Sequence, residues 1–192
     1  FDDYEAAAAY IKDCRIPVVL KADGLALGKG VLICNTREEA EAGLKEIMLD
    51  RAFGAAGSSV VVEEFLTGFE VSVLCFCDGK TVVPMASSQD HKRALDGDKG
   101  LNTGGMGAFS PSRKYTDELA KKAYDTVIVP TVEAMNAEGR PFKGVLYFGL
   151  MIDGDDIRVL EYNARFGDPE TQAVLPRMTS DLFDVFEAVI DG

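Results

Sequence analysis

Apolar residues in this chain come in short runs divided by glycine, proline and charged turns, and their spacing changes from helical to strand-like several times. Helical spacing over residues 5–13 gives way at Arg15-Ile16-Pro17. Residues 18–22 and 31–34 read as short buried strands around the glycine-rich loop 23–30. Thr36 and Glu39 have capping-box spacing and start an acidic amphipathic helix reaching about residue 50. After a break at 53–57, strands are predicted over 59–65 and 70–77, with Thr67-Gly68 between them. Asp78-Gly79 turns tightly into 81–85. Residues 87–111 show no periodicity. Residues 116–138 read as one long helix, or two broken near Pro130, ended by Gly139-Arg140-Pro141. The apolar runs 145–152 and 157–160 flank the turn at 153–156 and predict a β-hairpin. A helix beginning at Asp168-Pro169, as N-cap and first helical position, and a last helix from Ser180-Asp181 complete the pattern.

An apolar fraction of 47% over 192 residues allows one large domain or two small lobes with real cores. The formal charge of −12 argues against general affinity for nucleic acid or anionic membrane, though a local basic cluster can still take an anion. No apolar run approaches the roughly 20 residues that span a bilayer. Cys14, Cys34, Cys75 and Cys77 follow neither a Cys-x-x-Cys nor a zinc pattern and read as buried reduced thiols, which suits a cytoplasmic protein. The chain opens without Met and closes on a helix end, which reads as a piece of a longer protein.

Three places carry candidate chemistry. Glu161 and Asn163 are two apart on the second hairpin strand, so they share a face and offer two hard oxygen donors to a cation such as magnesium. Arg165 follows on the same face, and Asp168-Pro169 would open a helix with amides that favour anions. The alternative is a polar strand end with a helix cap. Gly28-Lys29-Gly30 lies between two strands and lacks Walker spacing, so it is either a hairpin flap over phosphates or a surface turn. In 87–111, His91-Lys92-Arg93 beside Thr103-Gly104-Gly105 favours a phosphate or carboxylate site over a solvated turn.

The lysine strand with its glycine loop, Glu63-Glu64-Phe65-Leu66 followed by Glu70, and Glu161-x-Asn163 stand in an order that resembles the ATP-grasp superfamily. Within it, Gln89-Asp90-His91-Lys92-Arg93, Asn102-Thr103-Gly104-Gly105-Met106-Gly107 and Arg165-Phe166-Gly167-Asp168-Pro169-Glu170-Thr171-Gln172 resemble the phosphoribosylamine–glycine ligase family, with the likeness running over essentially all 192 residues. The resemblance implies an α+β ATP-grasp fold of two lobes with the nucleotide between them. Residues 1–66 would be the small lobe with the flap, its first helix belonging either to that lobe or to the end of a preceding region. Residues 67–192 would be the large lobe with the metal and substrate site. It further implies ATP-dependent joining of glycine to 5-phosphoribosylamine through a glycyl phosphate, in purine biosynthesis, with magnesium or manganese. An N-terminal domain, a nucleotide-site segment before Phe1 and a C-terminal domain of the same enzyme would be missing, leaving the isolated chain nearly inactive.

Residue by residue, the resemblance gives Lys21 to the nucleotide and Gly24, Gly28, Lys29 and Gly30 to the flap, with Lys29 near the transferring phosphoryl. Glu63, Glu64, Phe65 and Leu66 would read the adenine, and Glu70 the ribose. Glu161 and Asn163 would hold the metal, and Arg165 would offset charge on the phosphoryl group. Asp168, Glu170 and Thr171, with Thr103, Gly104, Gly105 and Met106, would line the glycine and amine side, and Asp90, His91, Lys92 and Arg93 would face the ribose phosphate or reacting groups. Leu150 is apolar, on a strand where the superfamily often carries another acidic ligand. Other readings are a different ATP-grasp carboxylate–amine ligase, or a nucleotide-binding module without catalysis. The long family-specific loops weigh against the first, and Lys29, Glu161, Asn163 and Arg165 weigh against the second.

Overall fold

The computed structural model describes residues 1–26, 30–91, 93–96, 99–102 and 105–192; the side chains of 93–94 and 99–102 fall outside the description. The chain divides into two compact units, Phe1–Leu66 and Thr67–Gly192.

The first unit is a three-stranded antiparallel sheet with two helices on one face. In chain order it holds α1 (Tyr4–Asp13), β1 (Val18–Ala22), β2 (Val31–Cys34), α2 (Arg37–Met48), a 3-10 turn (Gly54–Ser58) and β3 (Val60–Glu64), with sheet order β2-β1-β3. Alternation along β1 sends Val18 and Leu20 into the core with Ile11, Leu44, Ile47 and Val60. Val19 and Lys21 therefore lie on the other face. Asp3 caps α1 by accepting from the Ala6 amide at 2.8 Å. Thr36 caps α2 by accepting from the Glu39 amide at 3.2 Å, and Glu39 reaches back to the Asn35 amide at 2.7 Å, one residue before the expected partner.

The second unit is built on an antiparallel sheet ordered β11-β10-β4-β5, from β4 (Phe69–Cys77), β5 (Val82–Pro84), β10 (Gly144–Asp153) and β11 (Asp156–Asn163). One face carries Val71, Val73, Phe148, Leu150 and Ile152 against a long helix. That helix runs as α3 (Asp117–Ala123), a wider π turn (Tyr124–Ile128) and α4 (Val129–Ala137). The π turn ends two residues before Pro130, whose missing N–H and ring would otherwise disturb a regular turn. So Pro130 widens the helix without ending it. The opposite face carries Leu74, Phe76, Val145 and Tyr147, covered in part by the C-terminal helix α6 (Leu182–Asp191), Met85 and Phe166.

Two sequence expectations change here. Residues 87–111 hold four short strands, β6 (Gln89–Asp90), β7 (Arg93–Leu95), β8 (Lys99–Asn102) and β9 (Ala108–Phe109), paired β6-β9 and β7-β8. Strands of two to four residues are too short for alternation to show. The helix expected from Asp168 is the five-residue α5 (Glu170–Val174), with Pro169 at the N-cap and no side-chain cap. Asp168 stands outside it and accepts from Gln172 Nε2 at 2.8 Å.

The β10–β11 pairing contains a bulge. Leu150 pairs with Val159 but Gly149 pairs with Glu161, so Leu160 is an extra residue. Ile157 and Val159 pack toward the helix-covered core. Past the bulge, Tyr162 takes that side, with its ring 5.4 Å from that of Phe148. Glu161 and Asn163 consequently fall on the opposite face.

Candidate functional site

In the second unit, pairing lays out a polar patch on the sheet face opposite the long helix. Glu70, Met151 and Arg158 form one cross-strand row, Ser72, Gly149 and Glu161 the next, and Leu74, Tyr147 and Asn163 the third. Glu161 and Asn163 therefore share a face two rows deep, with Glu70 nearby. Gly149 makes this possible. A Cβ there would lie 3.0 Å from Cγ of Glu161, so glycine leaves the carboxylate its room. Leu150 is fully buried on the other face, so it is no candidate for a further ligand. Among the described residues no group of three or more His, Cys, Asp or Glu is placed to hold a metal. Two oxygen donors from one strand fit a magnesium-type ion that takes its other ligands from phosphates and water.

The segment after β11 is pinned at two points. Phe166 packs edge-on against Phe76 and Phe186, with ring centroids 6.4 and 6.3 Å away. Glu170 is turned inward, only 3% exposed, and its carboxylate accepts from the hydroxyls of Ser72 at 3.2 Å and Tyr147 at 3.1 Å. Sequence reading placed Glu170 on the substrate side beside Asp168 and Thr171; in the structure one of its carboxylate oxygens, Oε1, accepts from both protein hydroxyls. Just before the first anchor, Arg165 is exposed and donates to the Phe166 carbonyl at 2.8 Å. Asp168 is exposed, while the Thr171 hydroxyl donates to the Gly167 carbonyl.

The 87–111 excursion meets this segment. A Cβ on Gly105 would lie 2.6 Å from Cδ of Pro169, so the two motifs are in contact. Arg177 Nη1 donates to the Ser110 carbonyl at 3.2 Å. Ser72 and Ser88 exchange backbone hydrogen bonds, which runs the chain alongside β4 towards Asp90. His91 exchanges backbone bonds with Gly107 and Met106, and its ring sits 5.7 Å from that of Phe109. Met106 is exposed.

In the first unit, Lys21 Nζ lies 2.6 Å from a Glu63 carboxylate oxygen on the sheet face opposite the helices. Glu64 ends β3, and Phe65 and Leu66 follow half-buried. Gly24 lies against Ala56, and Gly30 is buried against Ala26 and Ala22. Gly28, Lys29, Lys92, Thr103 and Gly104, and the side chain of Arg93, lie outside the described residues.

Sequence reasoning missed Ser72, Tyr147 and Gly149. The only signals were a serine inside the apolar run of β4 and a glycine inside that of β10. A cavity of about 370 Å³ in the second unit, lined by Phe76, Val83, Met85, Met178, Val185 and Val189 among others, contains none of the expected site residues. Among the described residues, no helix is long and apolar enough to cross a membrane.

The family model for the phosphoribosylglycinamide synthetase ATP-grasp (A) domain matches residues 1–171. The chain belongs to this family. It is 51% identical, over all 192 residues, to a phosphoribosylamine–glycine ligase of Halalkalibacterium halodurans, covering 45% of that protein. It is 50% identical to the human trifunctional purine biosynthetic protein adenosine-3, covering 19% of it. The crystal structure of phosphoribosylamine–glycine ligase from Thermotoga maritima superposes with a TM-score of 0.89 at 34% identity, over 98% of this chain and 48% of that one. The chain thus spans about half the length of the single-function ligases it matches. Its fold is the α+β ATP-grasp fold of this synthetase family.

Proposed function

We propose that this chain is the ATP-grasp portion of a ligase that joins glycine to 5-phosphoribosylamine, giving glycinamide ribonucleotide, ADP and phosphate. The observation that carries the reading is the meeting of Gly105 with Pro169 beside the sheet face of Glu161 and Asn163. It joins the two loops most particular to the synthetase family next to the oxygen donors that suit a phosphate-bound cation.

The two-step reaction needs two anions to approach. A glycine carboxylate oxygen attacks the γ-phosphorus of ATP, the bond to the β-phosphate oxygen breaks, and ADP leaves. The amine of phosphoribosylamine then attacks the acyl carbon of the glycyl phosphate. Phosphate departs with the bonding electron pair, and the amine releases one proton to phosphate or solvent. Offsetting charge is therefore the main demand on the protein. A magnesium or manganese ion held by Glu161 and Asn163 would supply positive charge at the phosphate oxygens.

The chain's own residues do the rest. Arg165 faces the transferring phosphoryl, and Lys29 from the glycine loop adds a second cation. Lys21, kept in place by Glu63, meets the nucleotide, with Gly24, Gly28 and Gly30 shaping the loop over the phosphates. Glu63, Glu64, Phe65 and Leu66 read the adenine and Glu70 the ribose. Asp168 and Thr171, with Thr103, Gly104, Gly105 and Met106, line the glycine and amine side, and Asp90, His91, Lys92 and Arg93 face the ribose phosphate. The activated acyl phosphate makes a histidine base unnecessary. The four cysteines are all free thiols, consistent with a cytoplasmic enzyme.

The test is glycine-dependent ADP release in the presence of phosphoribosylamine, from the chain carried with the flanking regions its relatives possess. Arg165→Ala should abolish turnover and largely spare ATP affinity. ADP release indifferent to glycine would overturn the reading. The 192-residue chain alone is expected to bind ATP weakly and to turn over far more slowly than the longer protein.

A further inference from the structure

Ser72, Tyr147 and Glu170 form a closed triangle of oxygens that the ligase reading leaves without a task. The hydroxyls of Ser72 and Tyr147 lie 2.9 Å apart, and each reaches the same Glu170 carboxylate oxygen, at 3.2 and 3.1 Å. All three residues are buried, with 5%, 3% and 3% exposure. A buried carboxylate is costly unless its hydrogen bonds are met, and here the two hydroxyls meet them at one oxygen.

Their placement points to a task. Ser72 pairs across the sheet with Gly149, whose other neighbour is Glu161. Tyr147 pairs directly with Asn163. The two hydroxyls therefore rise from the strands that support the two proposed metal donors. Glu170 begins α5, seven residues after Asn163, and the intervening chain holds Arg165 and Asp168. The carboxylate ties the far end of that segment back to the sheet. Gly167 fits the same lock, since a Cβ there would lie only 2.4 Å from the second Glu170 oxygen.

We infer that Glu170 is a positioning residue: through Ser72 and Tyr147 it fixes the segment carrying Arg165 and Asp168 in register with Glu161 and Asn163, and it does not contact the substrate ammonium. This rests on the ligase reading for its kinetic test, but not for its structural one.

The discriminating variant is Glu170→Gln. Its amide oxygen can still accept from both hydroxyls while the charge is gone. A positioning role predicts that E170Q keeps the glycine KM within about twofold of wild type. It also predicts that Glu170→Ala, Ser72→Ala and Tyr147→Phe lower kcat with little change in the ATP KM, the S72A/Y147F pair being less than additive. If Glu170 instead holds the glycine ammonium, E170Q raises the glycine KM tenfold or more while Y147F leaves it alone, and the inference is overturned. Hydrogen exchange over residues 164–171 in the same proteins gives the readout independent of turnover. Protection should fall in E170A and be retained in E170Q; equal protection in E170A and wild type would sink the lock. Should the wild-type protein release no ADP with glycine, the ligase reading fails, and the exchange result still decides whether the triangle holds the segment.

Discussion

Single side chains in this chain act mainly through the room and the hydrogen bonds they leave one another. Gly149→Val would push branched carbon into the space of the Glu161 side chain, which a glycine-built Cβ already approaches at 3.0 Å. The expected loss is about 1–3 kcal/mol of stability from overpacking, together with at least tenfold weaker Mn²⁺ binding in the nucleotide complex. Chemical denaturation and Mn²⁺ titration by electron paramagnetic resonance would check the two parts separately. Tyr115 gives a pH prediction. Burial, with a smaller effect of Cys75, raises its phenol from 10.0 to about 12. Its contribution to stability is therefore fully present below pH 10 and is lost as pH rises from there to about 12. Denaturation midpoints of wild type and Tyr115→Phe should converge in shape below pH 10 and diverge above it, the wild type falling faster. At this scale the sequence revealed which residue types could do chemistry, but not which way they point. Glu161 and Asn163 were legible because two-residue spacing fixes a shared face in a strand. The inward turn of Glu170 was not, because it depends on hydroxyls from two strands 98 and 23 positions away in sequence.

Elements divide into those long enough to write a period into the sequence and those that are not. The capped helix α2, the β1–β2 hairpin and the β10–β11 hairpin were all legible, since each combines apolar periodicity with a turn or cap signal. The short pairs β6-β9 and β7-β8 left no such trace. Pro130 was legible as a disturbance but not as a π turn, because the sequence cannot tell a break from a widening. The cap on α2 can be probed directly. Thr36→Ala removes the acceptor for the Glu39 amide and should cost ~1 kcal/mol, whereas Thr36→Ser should cost a few tenths at most by the same measure. Equal losses in both variants, read from urea denaturation, would show that the hydroxyl is not the stabilising group.

At the scale of the whole molecule, each unit has a core of its own. In the second unit the central sheet separates an apolar face from a polar one, with Val73, Phe148 and Leu150 on the helix side and Glu70, Glu161 and Asn163 on the other. On the ligase reading, a chain of net charge −12 would gather an anionic nucleotide by local cations rather than by its overall field. Raising ionic strength should therefore not weaken ATP binding through loss of long-range attraction. A steep fall in affinity from low to physiological salt, measured by calorimetry, would point to a steering field that this charge does not provide.

The extra residue at Leu160 sets a rule of parity for this strand. Ile157, Val159, Glu161 and Asn163 are all odd-numbered, and in an unbroken strand they would share one side. One inserted position converts odd to even halfway along. The side that each later residue takes is consequently set by the bulge together with its place in the sequence. Deleting Leu160 would make Val159 and Glu161 successive residues opposite Leu150 and Gly149, a regular ladder that keeps Glu161 and Asn163 on the polar face and Tyr162 beside Phe148. On the ligase reading such a protein should still bind Mn²⁺ in the nucleotide complex, as should Leu160→Ala; loss of Mn²⁺ binding in the deletion variant alone would show that the bulge does more than set which face these residues take.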